Sequence, residues 1–591
     1  MRITNFNNLF GASLLSLSMI LSSCGGDEKK KGDDGQSATK YENRVVVHTS
    51  ADMDQYNPMN YRGETTSYVN SHVYQQLVMM DFQSYEMVPV LAKDRPKIER
   101  EVGGGMKMTF EIRSEAKWDD GSPITAKDVE FSLKAIKNPK TDCARRRPYV
   151  EFITDMVIDA NNPKKFTFIC DKAYHLGEEA TDIIYILPKH VYDPNNLMDN
   201  FTVAELSSKS IELASNSTIV EFADFFNSEK FQKEISAGSG PYEILKWENG
   251  ARIVLKKKAD WWGAKLADEN MYFQAGPDEI VYEIIKDQTT ALTTLKDEGL
   301  DVMSRIPVRD FVEKLPKDGH FNKLYQTLSP AKFAYEYIGI NLRRPKFQDV
   351  RVRRALAHVV DVDNLIKTLS YGLGERVVGI IHPDKKIYYN HDILPYDYNI
   401  EKAKALLEEA GWADTNGDGV VDKMIDGVQT EFEVTLFFNS ENDVRKKIAL
   451  FVHNEAKKVG IKINVVNEEH VTLIGRITSH DFDMFVAGWI TGPGESDPKQ
   501  LWHSESYNKG SNYIGFGNAE SDKLIEEIRS TLDQDARAKL YKQFQQILHD
   551  EVPYIFLMSQ KERIAVHKKW GNVYGSGVRP GFWTSGFMLT Q

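Results

Sequence analysis

Cysteine is nearly absent from this chain, with three in 591 residues, at Cys24, Cys143 and Cys170. Past the N-terminal region a single pair is left, so one internal disulfide is the most the chain can make. Long apolar runs are missing too: beyond the first two dozen residues no stretch is long enough to cross a bilayer. Positive charge is not blocked together. Lys+Arg 74 are spread among Asp+Glu 86, the formal net charge is −12, and a nucleic-acid groove is therefore not expected. The 14 histidines are scattered, and neither a His-Glu-x-x-His nor a nucleophile-elbow pattern occurs. Ser114 with Lys117 and Ser329 with Lys332 have Ser-x-x-Lys spacing but lack the motifs that accompany it in penicillin-type sites. His480, Asp481 and Asp483 fall at the start of a half-buried strand. A hydrolytic enzyme is disfavoured, and no short-period repeat points to a solenoid.

What is present begins at the N-terminus. MRITNFNNLFGASLLSLSMILSSCGG carries one Arg, an apolar segment from Leu9 to Leu21, and small residues up to Cys24. The apolar part is short and interrupted by serine, so a secretory signal over 1–23 fits better than a membrane span. Leu21-Ser22-Ser23-Cys24 resembles the lipobox of bacterial lipoproteins, which implies cleavage before Cys24 and a lipid on its thiol. A plain secretory peptide with a chance cysteine is the alternative. Residues 24–40 then form the lipidated Cys and a flexible tether, too polar to bury a core, with an average reach of roughly 20–25 Å. The expected location is exported, lipid-anchored to a bacterial membrane and facing periplasm or cell exterior.

More than 500 residues follow, enough for two or three domains. Met106, Met108, Phe110 and Ile112 alternate along a strand. Thr125 is a candidate N-cap, with Asp128 three residues on and Val129, Leu133 and Ile136 on one helical stripe. Asn249-Gly250 is a hairpin signal, and Asp349 caps a helix carrying Val352, Ala355, Leu356 and Val359. Arg351, Arg353 and Arg354 are expected on its solvated or partner-facing side. Strand and helix units recur on both sides of a hairpin-rich insertion, the pattern of mixed α/β domains. In an oxidising exterior Cys143 and Cys170 are expected to pair across a strand, turn and strand over 152–168, with two buried free thiols as the alternative. In DTNGDGVVD, Asp414, Asn416, Asp418, the Val420 carbonyl and Asp422 have the one-three-five-seven-nine spacing of a calcium loop. Gly419 stands at position six, but position twelve is Ile425, so structural Ca²⁺ and a metal-free turn stay equally open.

The stretches MTFEIRSEAKWDDGSPITAKDVEFSLKAI, GSGPYEILKWENGARIVLKKKADWWG, YIGINLRRPKFQDVRVRRALAHVVDVDNLI, EKAKALLEEAGW, DFDMFVAGW and SNYIGFGNAESDKLIEEI occur in this order along the chain. Taken together they resemble the peptide-binding group of extracellular solute-binding proteins that serve ABC importers, family 5. The resemblance implies an α/β, two-lobed, periplasmic-binding-protein-like fold of the large three-domain type II form with a mobile cleft. Domain I would comprise 41–85, 237–320 and the return at 559–591. Domain II would be the insertion 86–236, and domain III would be 321–558. It further implies a non-enzymatic monomer that needs no cofactor, captures a short peptide and hands it to an ABC permease with ATPase subunits. A non-peptide solute such as an oligosaccharide or metal chelate, or peptide sensing instead of import, are the alternatives.

In the family, an aspartate three residues after a Gly-Trp pair takes the ligand amine. Here Gly488-Trp489 is followed at that position by Gly492. Glu495 or Asp497 then substitutes for it, or the ligand lacks a free amine. Trp489 is expected as a flat cleft wall, and Tyr61, Tyr68 and Asn341 as further ligand contacts, each against a bland structural alternative.

Overall fold

The computed structural model describes residues 42–590 apart from Ile235, so Cys24, the signal segment and the tether lie outside the described residues. Alternating apolar and polar residues build three main sheets. The first has seven strands, in the order Tyr325–Leu328, Ile564–His567, Val302–Met303, Arg44–Thr49, Glu279–Ile284, Arg252–Lys257 and Tyr242–Glu248. Arg44–Thr49 runs parallel to Glu279–Ile284, with Val45 opposite Ile280 and Val47 opposite Tyr282, and all four side chains are buried. The expected hairpin turns at Gly250, whose φ of +74° is the left-handed region that glycine enters without strain.

The second sheet has four strands, Lys97–Arg100, Met106–Glu111, Lys165–Cys170 and Ile153–Ile158. It buries Met106, Met108 and Phe110 on one face, in the same apolar cluster as Val129, Leu133 and Ile136, the stripe of helix Ala126–Lys137. That helix starts at Thr125 with a capping box closed by Asp128. One continuous apolar cluster spans both sheets, from Val45 through Phe110, Phe131, Phe166 and Tyr192 to Val302 and Phe587. The two sheets therefore share one core and form one lobe.

The third sheet has six strands, Gly374–Arg376, Tyr554–Gln560, Ala334–Ile340, Met484–Ile490, Glu433–Asn439 and Lys462–Glu468. An apolar layer lies on each of its faces. One contains Ile338, Val352, Leu436 and Val486, the other Tyr335, Phe437, Phe485, Trp502 and Tyr541. This sandwich of helices on a sheet is the second lobe. Within it Arg353 departs from expectation: it is buried, its Nη1 donates to the Phe347 carbonyl at 2.7 Å and its Nη2 pairs with Glu551 at 2.8 Å. Arg351 stays exposed.

The chain crosses between lobes as a two-stranded ribbon. Tyr325–Leu328 pairs antiparallel with Ile564–His567 in the first lobe, and Ala334–Ile340 pairs antiparallel with Tyr554–Gln560 in the second. Between them Ala331 bridges Lys561, and the Glu562 N–H donates to the Pro330 carbonyl at 2.9 Å.

The expected Cys143–Cys170 disulfide is not formed, and both residues are buried free thiols. The strand, turn and strand exist, with Ile153 opposite Cys170. Cys143, however, is turned toward the first sheet's loops, and its thiol donates to Asn60 Oδ1 at 3.2 Å. Burial pushes the thiols up to about 11 and about 12, respectively, so neither is poised as a thiolate.

Candidate functional site

Segments of both lobes enclose a cavity of about 670 Å³. The first lobe contributes Met80, Tyr85, Arg95 and the stretch around His175 and Glu179, and the second contributes Lys385, Tyr388, Gly494, Glu495 and Arg537. Beside it the lobes touch directly. The His175 backbone N–H donates to the Arg529 carbonyl at 3.0 Å, and His175 Nε2 lies 3.2 Å from Tyr541 Oη. Since Tyr541 donates its own proton to the Ser496 carbonyl at 2.6 Å, the imidazole must donate from Nε2. Burial drives His175 down to about 4 despite the acids Glu495 and Asp497 nearby. Gly494 lies under the Glu179 carboxylate: a Cβ there would meet Oε1 at 2.3 Å, so a side chain at 494 would displace that carboxylate.

Of the six residues singled out in the sequence as ligand contacts, Glu495 alone is in the wall of this cavity. Arg537 covers its carboxylate, with Nε 2.5 Å from Oε2 and Nη2 on Oε1, and the Tyr388 hydroxyl donates to Oε1 as well. Asp497 is also matched, by Arg529 Nε at 2.9 Å and by the Lys499 N–H at 2.9 Å. Trp489 lies opposite Tyr335 in its strand, stacks on Tyr513 at 6.5 Å between centroids, and points its indole N–H at Tyr554 Oη, 3.5 Å away. Tyr68 donates to Glu64 Oε1 at 2.6 Å, and Glu64 also receives Arg305 and Arg579. Burial would raise the Glu64 carboxyl, but these donors together outweigh it and hold the group below its usual range. Tyr61 carries the Arg146 guanidinium 5.0 Å over its ring and lines a separate open cavity of about 870 Å³ rich in arginine.

Asn341 is corrected to a structural role. It is buried, its amide donates to the His480 and Phe482 carbonyls at 3.1 and 2.9 Å, and its oxygen accepts from the Arg343 N–H. Both amide hydrogens are committed to backbone carbonyls in a buried setting.

The calcium set is likewise not assembled. Asp422 turns inward to accept from the Thr415 N–H at 3.0 Å and hydroxyl at 2.6 Å, while Asp414 caps the Gly417 and Gly419 amides, Asn416 the Asp418 amide, and Asp418 the Val420 amide. Among the described residues one group gathers three metal-ligating side chains, Glu375, His382 and Asp384. There His382 Nδ1 accepts from the Asp384 N–H at 3.1 Å, so Nε2 carries the proton and faces Glu375 at 3.6 Å. The tautomer withholds the lone pair a metal needs.

His175, Glu179, Lys385, Arg537 and Tyr541 were not singled out by the sequence. None lies in a motif, and what makes them a set is contact across hundreds of residues.

Two lobes with separate cores, a two-stranded crossing and a charged cavity between them define a two-lobed solute-binding protein. The chain belongs to the bacterial extracellular solute-binding proteins, family 5, whose middle region matches residues 86–511. Family and fold are those of binding proteins and not of enzymes. The chain is 28% identical over 570 residues to the oligopeptide-binding protein AppA of Bacillus subtilis, covering 94% of this chain and 93% of that one. It is 25% identical to heme-binding protein A of Haemophilus influenzae, with 92% of each chain covered. The structure of B. subtilis AppA in complex with a nonapeptide superposes with a TM-score of 0.63 at 25% identity, over 93% of this chain and 99% of that one. NikZ from Campylobacter jejuni in complex with Ni(L-His) shares the fold with a TM-score of 0.64 at 23% identity, over 91% and 98%.

Proposed function

We propose that this protein captures a short peptide between its two lobes and delivers it to an ABC permease driven by ATPase subunits. The observation that carries this reading is the interlobe cavity of about 670 Å³, within the size range of small-molecule pockets and lined by charges of both signs. The likeness to a relative solved with a nonapeptide supports the peptide class. A ligand that touches both lobes binds the closed state better than the open one and so shifts the population toward closure, bending the paired ribbon at 329–333 and 561–563. Each sheet is read as the centre of one domain: domain I around the seven-stranded sheet, domain II around the four-stranded sheet, domain III around the six-stranded sheet. Cys24 is the proposed lipid attachment, keeping the loaded protein close to its membrane acceptor.

A second reading, a haem or metal-chelate cargo, draws on the relatives named for haem and solved with Ni(L-His). Native mass spectrometry of protein purified without denaturation separates the two. Retained peptides, together with a rise in melting temperature on adding peptide pools, are the expected result. Retention of chelates or sugars alone, with no peptide-induced shift, refutes the peptide reading.

A further inference from the structure

The loop that should supply an acid for a ligand amine does not. Gly492 occupies the position, with φ +66° and open space within 4 Å of where a side chain would start. The two acids further along are already used, Glu495 by Arg537 and Tyr388 and Asp497 by Arg529. Across the cavity, on the 3-10 turn Glu179–Ile183 of the first lobe, stands an acid that is not. Among the described residues the Glu179 carboxylate makes no hydrogen bond and has no ion-pair partner within 4.0 Å.

Its surroundings call for a cation. Asp182, Glu495 and Glu178 all act on it with like charge, and Lys385 is the one base whose field opposes them. Lys385 is itself engaged, its ammonium donating to the Gly494 carbonyl. Glu178 already has its own partner, Arg95 at 2.6 Å. Burial, reinforced by the neighbouring acids, pushes the Glu179 carboxyl up to about 7, as a carboxylate short of counter-charge should behave. The group also lies against Gly494 of the second lobe.

We propose that Glu179 is the acid that receives the ligand's ammonium or guanidinium group, reading it from the first lobe, opposite the second-lobe loop where the aspartate is missing. This rests on the reading of the interlobe cavity as the binding site. The ligand class is then a short peptide or other solute with a free cationic end. Charge selection and closure become one event, because the cation neutralises an acid that closure presses against Gly494.

The test is a thermal-shift and calorimetric comparison of wild type with Glu179→Gln at pH 7.5, using trialanine, N-acetyl-trialanine and cadaverine as probes. The unliganded variant is expected to melt no lower than wild type, since the change removes an unpaired acid. Wild type is expected to bind trialanine at least tenfold more tightly than its acetylated form, and Glu179→Gln to lose that preference. If trialanine binds both proteins with the same preference over the acetyl form, the role of Glu179 is overturned and peptide binding stands. If cadaverine shifts wild type alone and no peptide does, the peptide reading fails and Glu179 keeps its role. If no amine-bearing probe shifts wild type more than Glu179→Gln, the proposal is overturned.

Discussion

Replacing Arg537 with methionine removes the charge pair that disqualifies Glu495 as a free acid, together with the Nη1 bonds to the Thr531 and Leu532 carbonyls at 2.8 and 3.0 Å. Arg537 and Glu495 are 6% and 12% exposed at their side chains, and the contact uses both carboxylate oxygens. Two unit charges about 4 Å apart interact by about 4 kcal/mol at an effective dielectric near 20, and removing one partner of such a buried pair costs about 3–5 kcal/mol. Glu495 keeps the Tyr388 hydroxyl, which places Arg537→Met near the low end, at about 3 kcal/mol. For a lobe of this size, with a urea m-value of about 3 kcal/mol/M, the unfolding midpoint should fall by about 1 M. Pulsed hydrogen exchange of peptides spanning 484–551 at rising urea reads that lobe directly. The double variant Glu495→Leu/Arg537→Met should recover the part of the loss that comes from the unpaired charge, while the Thr531 and Leu532 carbonyls stay without their donor. A single-variant shift below about 0.3 M, or a double variant no better than the single, would refute the reasoning.

Other consequences are open to simpler assays. Alkylation of the unfolded, unreduced protein should label both Cys143 and Cys170; no uptake before reductant is added would restore the disulfide. Chelator should leave the melting temperature unchanged, while Asp422→Ala should cost about 1–3 kcal/mol by orphaning the Thr415 donors; a fall of several degrees on chelation would reinstate the calcium loop. Closure should depend on pH through two opposed groups, His175, down to about 4 where the lobes meet, and Glu179, up to about 7. Closing expels a proton from His175 below its ordinary value near 6.5 and adds one to Glu179 between about 4.5 and 7. In Glu179→Gln closure should therefore weaken from pH 6.5 to 5, and in His175→Gln it should strengthen from pH 7 to 5. Each changes the closed-to-open ratio by at most about tenfold per pH unit, readable by small-angle scattering. Variants that respond with the same sign would contradict the assignment.

Local chemistry was legible wherever one segment decides the outcome. Thr125 and Asp128 announce their capping box, Asn249-Gly250 its hairpin, and Asp349 the helix whose Arg351 amide it caps at 2.9 Å. Alternation gave the strand Met106–Glu111 and the face it buries. Arg353 went astray because its partners, Phe347, Gln348 and Glu551, include a helix end almost two hundred residues away. The same limit governs the site. Family motifs led to the loop after Trp489, yet nothing near Glu495 or Asp497 in the chain tells of Arg537 or Arg529, and nothing near Glu179 tells of Gly494. Spacing in the calcium loop was met from position one to nine, but side-chain direction, set by Thr415 and Gln429, is not a property of spacing.

The order of strands in the first sheet bears on when the protein can fold. Ile564–His567 lies between Tyr325–Leu328 and Val302–Met303, so the sheet stays split until residues 564–567 are available. A growing chain can assemble the insertion's four strands and most of the second lobe early, but it cannot seal the first lobe. Pairings of such long sequence separation form slowly. For a member of an extracellular family, that delay leaves the first lobe open until residues 564–567 have been made.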